Sequence, residues 1–156
     1  MSPAKENAMP RELSKEFFAA YHAALFEAQG EEAAKNTVKA GIALAGRWLK
    51  SLAERPDTPE KFKAALEKEF KERFGFADLA EITFEADGTA RLHLKGCDIC
   101  PGNELLRAAG AKGCCPICHM VKSALGRSLG KRVELTGSQK PGPVGECVLE
   151  YKISQR

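Results

Sequence analysis

Between residues 13 and 29 apolar side chains recur at three- and four-residue steps. Leu13, Phe17, Tyr21, Ala24 and Ala28 therefore fall on one side of a helix and read as its core-facing stripe. A second helix is predicted over residues 31–54. Its stripe is Val38, Ile42, Ala45, Leu49 and Leu52, with Trp48 alongside, and Pro56 marks its end. Thr58 caps a third helix with Pro59 in its first turn. There Phe62, Leu66, Phe70 and Phe74 form a four-spaced ridge that stops at Gly75.

The period then changes to two. Ile82 and Phe84 lead into Ala-Asp-Gly at 86–88, after which Ala90, Leu92 and Leu94 alternate with Arg91, His93 and Lys95, the pattern of a hairpin with one buried face. Pro101 and Pro116 each stand where a first helical turn tolerates proline, giving helices over 101–109 and 116–129. Strands at 132–136 and 147–153 close the chain, separated by a Gly- and Pro-rich loop over 137–145. Helices, hairpin, helices, hairpin is the order of an α+β domain. It predicts an antiparallel sheet of about four strands with helices packed mainly on one face. Neither a repeat nor a linker divides the 156 residues, so one domain over 1–156 is expected, with residues 1–11 as a flexible N-terminal tail.

A chain of this length buries a core without staples, so its six cysteines need another reason. Lys and Arg total 24 against 21 Asp and Glu, with the signs interleaved along the helices, and this balance predicts no nucleic-acid surface. No stretch approaches the ~18 uninterrupted apolar residues of a membrane span, and the first residues lack the apolar core of a secretory signal. A cytoplasmic location is the expectation. In that reducing compartment closely spaced cysteines point to metal or redox chemistry before disulfides.

Five cysteines and one histidine lie between positions 97 and 119, as Cys97-Asp-Ile-Cys100 and Cys114-Cys115-Pro-Ile-Cys118-His119. Two CxxC pairs thus stand fourteen residues apart, and each can present two sulfurs to one cation across a tight turn. Cys100 precedes Pro101 and Cys115 precedes Pro116, so each pair has a cysteine at a helix start, where the helix dipole favours thiolate. Cys115, Cys118 and His119 share a helix face by their spacing. The ligand set expected is Cys97, Cys100, Cys115 and Cys118, with Cys114, His119 and Cys147 as substitutes or supporting groups. Zinc and an iron–sulfur cluster both suit four thiolates, and spacing does not choose between them. Cys147, in an alternating strand with Leu149 and Tyr151, also reads as a plain buried side chain. A redox dithiol is a further reading of the pairs. The CxxCH form of a haem attachment site needs export, for which no signal is present. His22 and His93 read as solvated surface residues.

The stretch Gly30-Glu-Glu-Ala-Ala-Lys-Asn-Thr-Val-Lys-Ala-Gly41, running on through Gly46 to Leu49, resembles the opening helix of the 4-vinyl reductase, or hydrocarbon-binding, domain family. Cys118-His-Met-Val-Lys-Ser-Ala-Leu-Gly126, Leu129-Gly-Lys-Arg-Val-Glu-Leu135 and Gly145-Glu-Cys147-Val-Leu-Glu-Tyr151 are similar to its closing segment. The resemblance runs from about Gly30 onward, with more cysteines over 97–118 than the family pattern. It implies a fold shared with vesicle-tethering subunits, an apolar pocket between helices and sheet, and a homodimer. The function expected from it is binding or sensing of a hydrophobic, aromatic or tetrapyrrole-like small molecule. The alternative is a metal-dependent enzyme, either like the thiazoline-carboxylate hydrolases, whose ending is similar, or a reductase using an iron–sulfur cluster. For catalysis Glu104 and His119 are the candidates near the cysteines.

Overall fold

A computed structural model describes residues 12–156, and the expected tail over 1–11 lies outside the described residues. Helices α1 (Lys15–Gln29), α2 (Ala33–Ser51) and α3 (Pro59–Lys68) precede the hairpin β1 (Leu79–Phe84) and β2 (Thr89–Lys95). Then come α4 (Cys100–Ala108), α5 (Pro116–Leu129) and the second hairpin, β3 (Arg132–Gln139) and β4 (Cys147–Ser154). Ser14 Oγ accepts from Phe17 N at 3.3 Å to start α1, and Thr58 Oγ1 accepts from Lys61 N at 3.2 Å to start α3.

The strands form one antiparallel sheet in the order β1-β2-β4-β3, so the two hairpins meet through β2 and β4. Along that seam Ala90, Leu92 and Leu94 oppose Tyr151, Leu149 and Cys147. These side chains, with Ala80 and Ile82 from β1 and Val133 from β3, make the buried face. Arg91, His93, Glu150 and Lys152 point the other way, and Arg91 pairs there with Glu85 and Glu150. The helices therefore cover one face only. α3 lies against β1, α5 against β3, and α2 packs on α5. Trp48, Phe62, Leu66 and Phe70 fill the core between them, and none is more than 1% exposed. No helix among the described residues is long and apolar enough to cross a membrane.

Four local expectations are corrected. The stripe predicted for α1 is exposed throughout, with Leu13 64%, Phe17 58% and Tyr21 55% exposed, while Ala19, His22, Ala23 and Phe26 are buried. The cause is the partner: α1 packs on α4, not on the sheet, and a Cβ on Gly102 of α4 would lie 2.6 Å from His22 Cδ2. Gly102 makes room for the His22 ring, and the face that carries Ala19, His22, Ala23 and Phe26 turns inward. In α2 Ala45, Leu49 and Trp48 are buried as expected, but its first turns bury Thr37 and Gly41 and leave Val38 and Ile42 exposed. In the third helix a π turn over Glu69–Arg73 adds a residue, which rotates Phe74 off the ridge of Phe62, Leu66 and Phe70. β3 runs on through Gly137 to Gln139, because a bulge between Leu135 and Gly137 takes up Thr136, whose Oγ1 bonds Glu150 Oε1 at 3.2 Å.

Gly41 is the contact point of α2 with α5. A Cβ there would stand 2.5 Å from His119 Cβ and 2.7 Å from the Pro116 carbonyl oxygen. Glycine to alanine inside a helix ordinarily gains up to about 1 kcal/mol from propensity. Here overpacking against backbone opposes it, and Gly41→Ala is expected to destabilise by about 1–3 kcal/mol in denaturant unfolding. Gly130→Ala at the end of α5, where φ is +63° and nothing crowds the position, serves as the strain-only comparison.

Candidate functional site

The β2–β4 seam decides where the cysteines meet. Cys147 opens β4 opposite Leu94, and the chain leaving β2 turns through Gly96 into Cys97, whose N–H donates to the Gly145 carbonyl at 2.9 Å. Gly145 has φ +107°, and a Cβ on it would crowd Cys97 N at 3.2 Å, so this close passage of two loops requires glycine. Cys100 is the first residue of α4, and Cys115 is the N-cap of α5.

The Cys100 sulfur neighbours those of Cys147 and Cys97, and the Cys115 sulfur neighbours that of Cys118. Cys118 Sγ also lies 3.0 Å from the Cys115 carbonyl oxygen, and its own carbonyl accepts from the buried Tyr151 hydroxyl at 2.9 Å. The two groups are near enough to feel each other's charge, since Cys115 acts on Cys97 and Cys147 and Cys100 acts on Cys115. Cys97, Cys118 and Cys147 are buried, whereas Cys100 and Cys115 are partly accessible.

Charge divides between them. Hydrogen bonds from Cys147 and Cys97 hold the Cys100 thiol far below its ordinary range, helped by Lys140 against the opposing cost of burial. Cys115 is lowered by its bond from Cys118, again against burial. The partners go the other way: the bond to Cys100 and then burial raise Cys97 and Cys147, and the bond to Cys115 and then burial raise Cys118. Both lowered thiols sit at helix N-termini, where backbone N–H groups favour negative charge. Burial pushes the Tyr151 phenol well up, so it stays a neutral donor.

The four cysteines of the expected set thus share one region, and Cys147 joins them through Cys100. Sequence alone had no way to rank Cys147 above the other substitutes, because its place depends on which strand β2 pairs with. Cys114 is elsewhere. Its side chain packs with Ala23, Phe26, Ala33 and Leu106, away from the other sulfurs, and its N–H donates to Asn103 Oδ1 at 2.8 Å. His119 points towards α2, half-buried, and burial followed by the nearby Lys122 charge lowers its pKa. Glu104 is tied to Arg107 at 2.5 Å and to Lys140 at 3.4 Å. Among the described residues no group of three or more His, Cys, Asp or Glu side chains is already arranged to hold an ion. The donor set itself, soft sulfur with two thiolate-prone members, is the kind that zinc and iron–sulfur clusters take.

The histidines set aside as surface residues are engaged. His22 is buried and its Nε2 lies 3.0 Å from Asn103 Oδ1, so Asn103 links α1, α4 and the backbone of Cys114. His93 Nε2 meets Glu146 Oε1 at 3.0 Å, beside Cys147.

Next to Cys114 an apolar cavity of about 570 Å³ opens between the end of α1, the start of α2, α4 and the 111–114 loop, with Phe26, Ala33, Ala34 and Leu106 among its walls. No sequence signal marked it, since its walls come from four separate segments.

No protein-family model matches the chain, and comparison with curated proteins finds no match. Among solved structures it is similar to a trafficking protein particle complex subunit 3 from Naegleria fowleri, covalently bound to palmitic acid. The TM-score is 0.56 and the identity 15%, over 90% of this chain and 95% of that one. At that identity the likeness concerns the fold alone: this chain has the fold of a vesicle-tethering subunit.

The metal-free, reduced protein treated with limiting iodoacetamide at about pH 6 is expected to be alkylated first at Cys100, the most accessible low-pKa thiol. Peptide mass mapping reads the order. Labelling that begins at Cys97 or Cys147 would contradict the charge division described above.

Proposed function

We propose that this chain is a small-molecule binding or sensing domain whose thiols hold zinc or an iron–sulfur cluster, and that the bound centre orders a wall of the ligand cavity. One observation carries the reading: the adjacent residues Cys114 and Cys115 divide between the two features. Cys114 packs in the apolar cluster beside the cavity, and Cys115 belongs to the thiol group. Fixing Cys115 on a metal therefore fixes the 111–114 loop that closes the cavity.

Cys97, Cys100, Cys115 and Cys118 would hold the centre, with Cys147 as a fifth sulfur beside Cys100. Zinc there supplies a structural cross-link between the β2–α4 turn and the start of α5, and a cluster adds electron transfer or sensing. The ligand is hydrophobic. The cavity walls support this, its volume lies in the range of small-molecule sites, and the similar structure carries an acyl chain. On this reading the chain belongs with the hydrocarbon-binding domains that its sequence resembles.

Anaerobic purification followed by elemental analysis and a visible spectrum tests the centre. Stoichiometric zinc in a colourless protein, or iron with sulfide and visible absorption, is expected, and both are lost in Cys97→Ser and Cys115→Ser. A fully reduced, folded chain with neither metal overturns the proposal. For the ligand, palmitate binding is expected to fall in Ala34→Phe, which fills the cavity from its rim, and on chelation of the metal. Palmitate bound equally well in all three states would disconnect the cavity from the centre.

The same reading includes a homodimer through α1. Phe17, Tyr21 and Leu25 lie exposed along one side of that helix, with Leu13 exposed just before its start, an apolar stripe that a second copy can cover by two-fold symmetry. Sedimentation at micromolar concentration is expected to give a dimer for the wild type and a monomer for the double variant Phe17→Glu/Tyr21→Glu. A monomeric wild type removes the homodimer from the reading.

A further inference from the structure

Along α5, beyond the turn that carries the cysteines, lies a second cavity of about 450 Å³, bounded by α2, α5 from His119 onward, the start of β3 and Arg156. Its charge is one-sided. Lys122 and Arg127 come from α5, Lys131 from the turn after it, Arg132 from the start of β3, and Arg156 from beyond β4. None of the described residues lining it is Asp or Glu.

Several basic residues elsewhere are paired. Lys61 pairs with Glu54 and Asp57, Lys63 with Glu67, Arg73 with Glu69, Arg107 and Lys140 with Glu104. Around this cavity only Arg132 has a carboxylate partner, Glu134 at 2.9 Å, and no ion pair among the described residues engages Lys122, Arg127, Lys131 or Arg156. In a chain with a formal charge of only +3, five basic side chains thus border one concavity whose described lining holds no Asp or Glu. Such a concavity focuses positive potential, and an anion inside it relieves the repulsion among the side chains.

The wall is not all polar. Val38 and Ile42 of α2, exposed because Gly41 draws the neighbouring ridge onto α5, face the cavity together with Val133. Gly46, one turn beyond Ile42, leaves room for the Arg127 guanidinium, since a Cβ there would stand 3.2 Å from Nη1. An apolar wall beside a cationic rim matches a ligand of two parts.

We propose that this cavity binds a small amphiphilic anion, a carboxylate or phosphate monoester on an apolar body, with its charge among Arg127, Lys131 and their neighbours and its body on Val38 and Ile42. The site is separate from the cavity beside Cys114 and depends on neither the metal nor the hydrophobic ligand proposed above. Guanidinium and ammonium groups bind such heads by charge-assisted hydrogen bonds, and the apolar wall discriminates against a bare anion.

Isothermal titration of the full chain, as purified, with octanoate, octyl phosphate, octan-1-ol and inorganic phosphate tests this. Saturable binding of octanoate or octyl phosphate is expected, with octan-1-ol and inorganic phosphate each weaker by about tenfold or more. The double variant Arg127→Glu/Lys131→Glu is expected to lose at least about tenfold in affinity. Ile42→Asp should lose a similar factor through the wall, with circular dichroism and melting showing both variants folded. Ala34→Phe, in the other cavity, is expected to leave octanoate binding unchanged. Octanoate affinity that survives the charge reversal, octan-1-ol bound as well as octanoate, or an effect confined to Ala34→Phe overturns the proposal. So does association with phosphatidylserine vesicles but with neither monomeric octanoate nor octyl phosphate, which would mark the basic rim as a membrane-facing surface.

Discussion

The pairing of β2 with β4 is the constraint on which the rest of the molecule depends. Each hairpin alone is a two-stranded ribbon with little to bury, and only their union produces a four-stranded sheet with a continuous apolar face. The register of that union then sets the chemistry. With Leu94 opposite Cys147, the turn carrying Cys97 and Cys100 is laid over the loop that ends in Gly145, and a cysteine from the last strand meets a helix start more than forty residues earlier in the chain.

α5 distributes the consequences. Its first turn carries Cys115 and Cys118, and the Tyr151 hydroxyl ties that turn to the sheet through the Cys118 carbonyl. Gly41 brings α2 close enough that α2 presents small side chains inward and Val38 and Ile42 outward. The basic residues on its last turns then meet those outward side chains across a cavity. One helix thus carries a thiol group at its first turn and borders a cationic cavity along the turns that follow.

Elements governed by short-range rules were legible. Thr58 and Pro59 start α3 by satisfying or omitting N–H groups that have no helical partner, and the alternation around Ala86-Asp-Gly88 makes the first hairpin. The four-strand sheet with helices on one face follows from the order of those elements. Faces were less legible. α1 is apolar on two sides, and periodicity alone chose the side of Leu13, Phe17 and Tyr21, whereas packing on α4, where Gly102 makes room for His22, chose the side of Ala19, Ala23 and Phe26. His22 was misjudged for the same reason, since its partner Asn103 is eighty-one residues away.

By itself the sequence determined what depends on neighbours along the chain: helix starts, turn positions, and the paired thiols at Cys97/Cys100 and Cys115/Cys118, whose spacing is a local property of turns and helix caps. Tertiary structure alone decided what depends on neighbours in space. It joined Cys147 to the thiol group and removed Cys114 from it, chose the buried faces of α1 and of the first turns of α2, and gathered Lys122, Arg127, Lys131, Arg132 and Arg156 from separate segments about one cavity. The reason is that side-chain position across elements is fixed by strand register and by how closely two backbones pass, and neither quantity is encoded in the periodicity of a single segment.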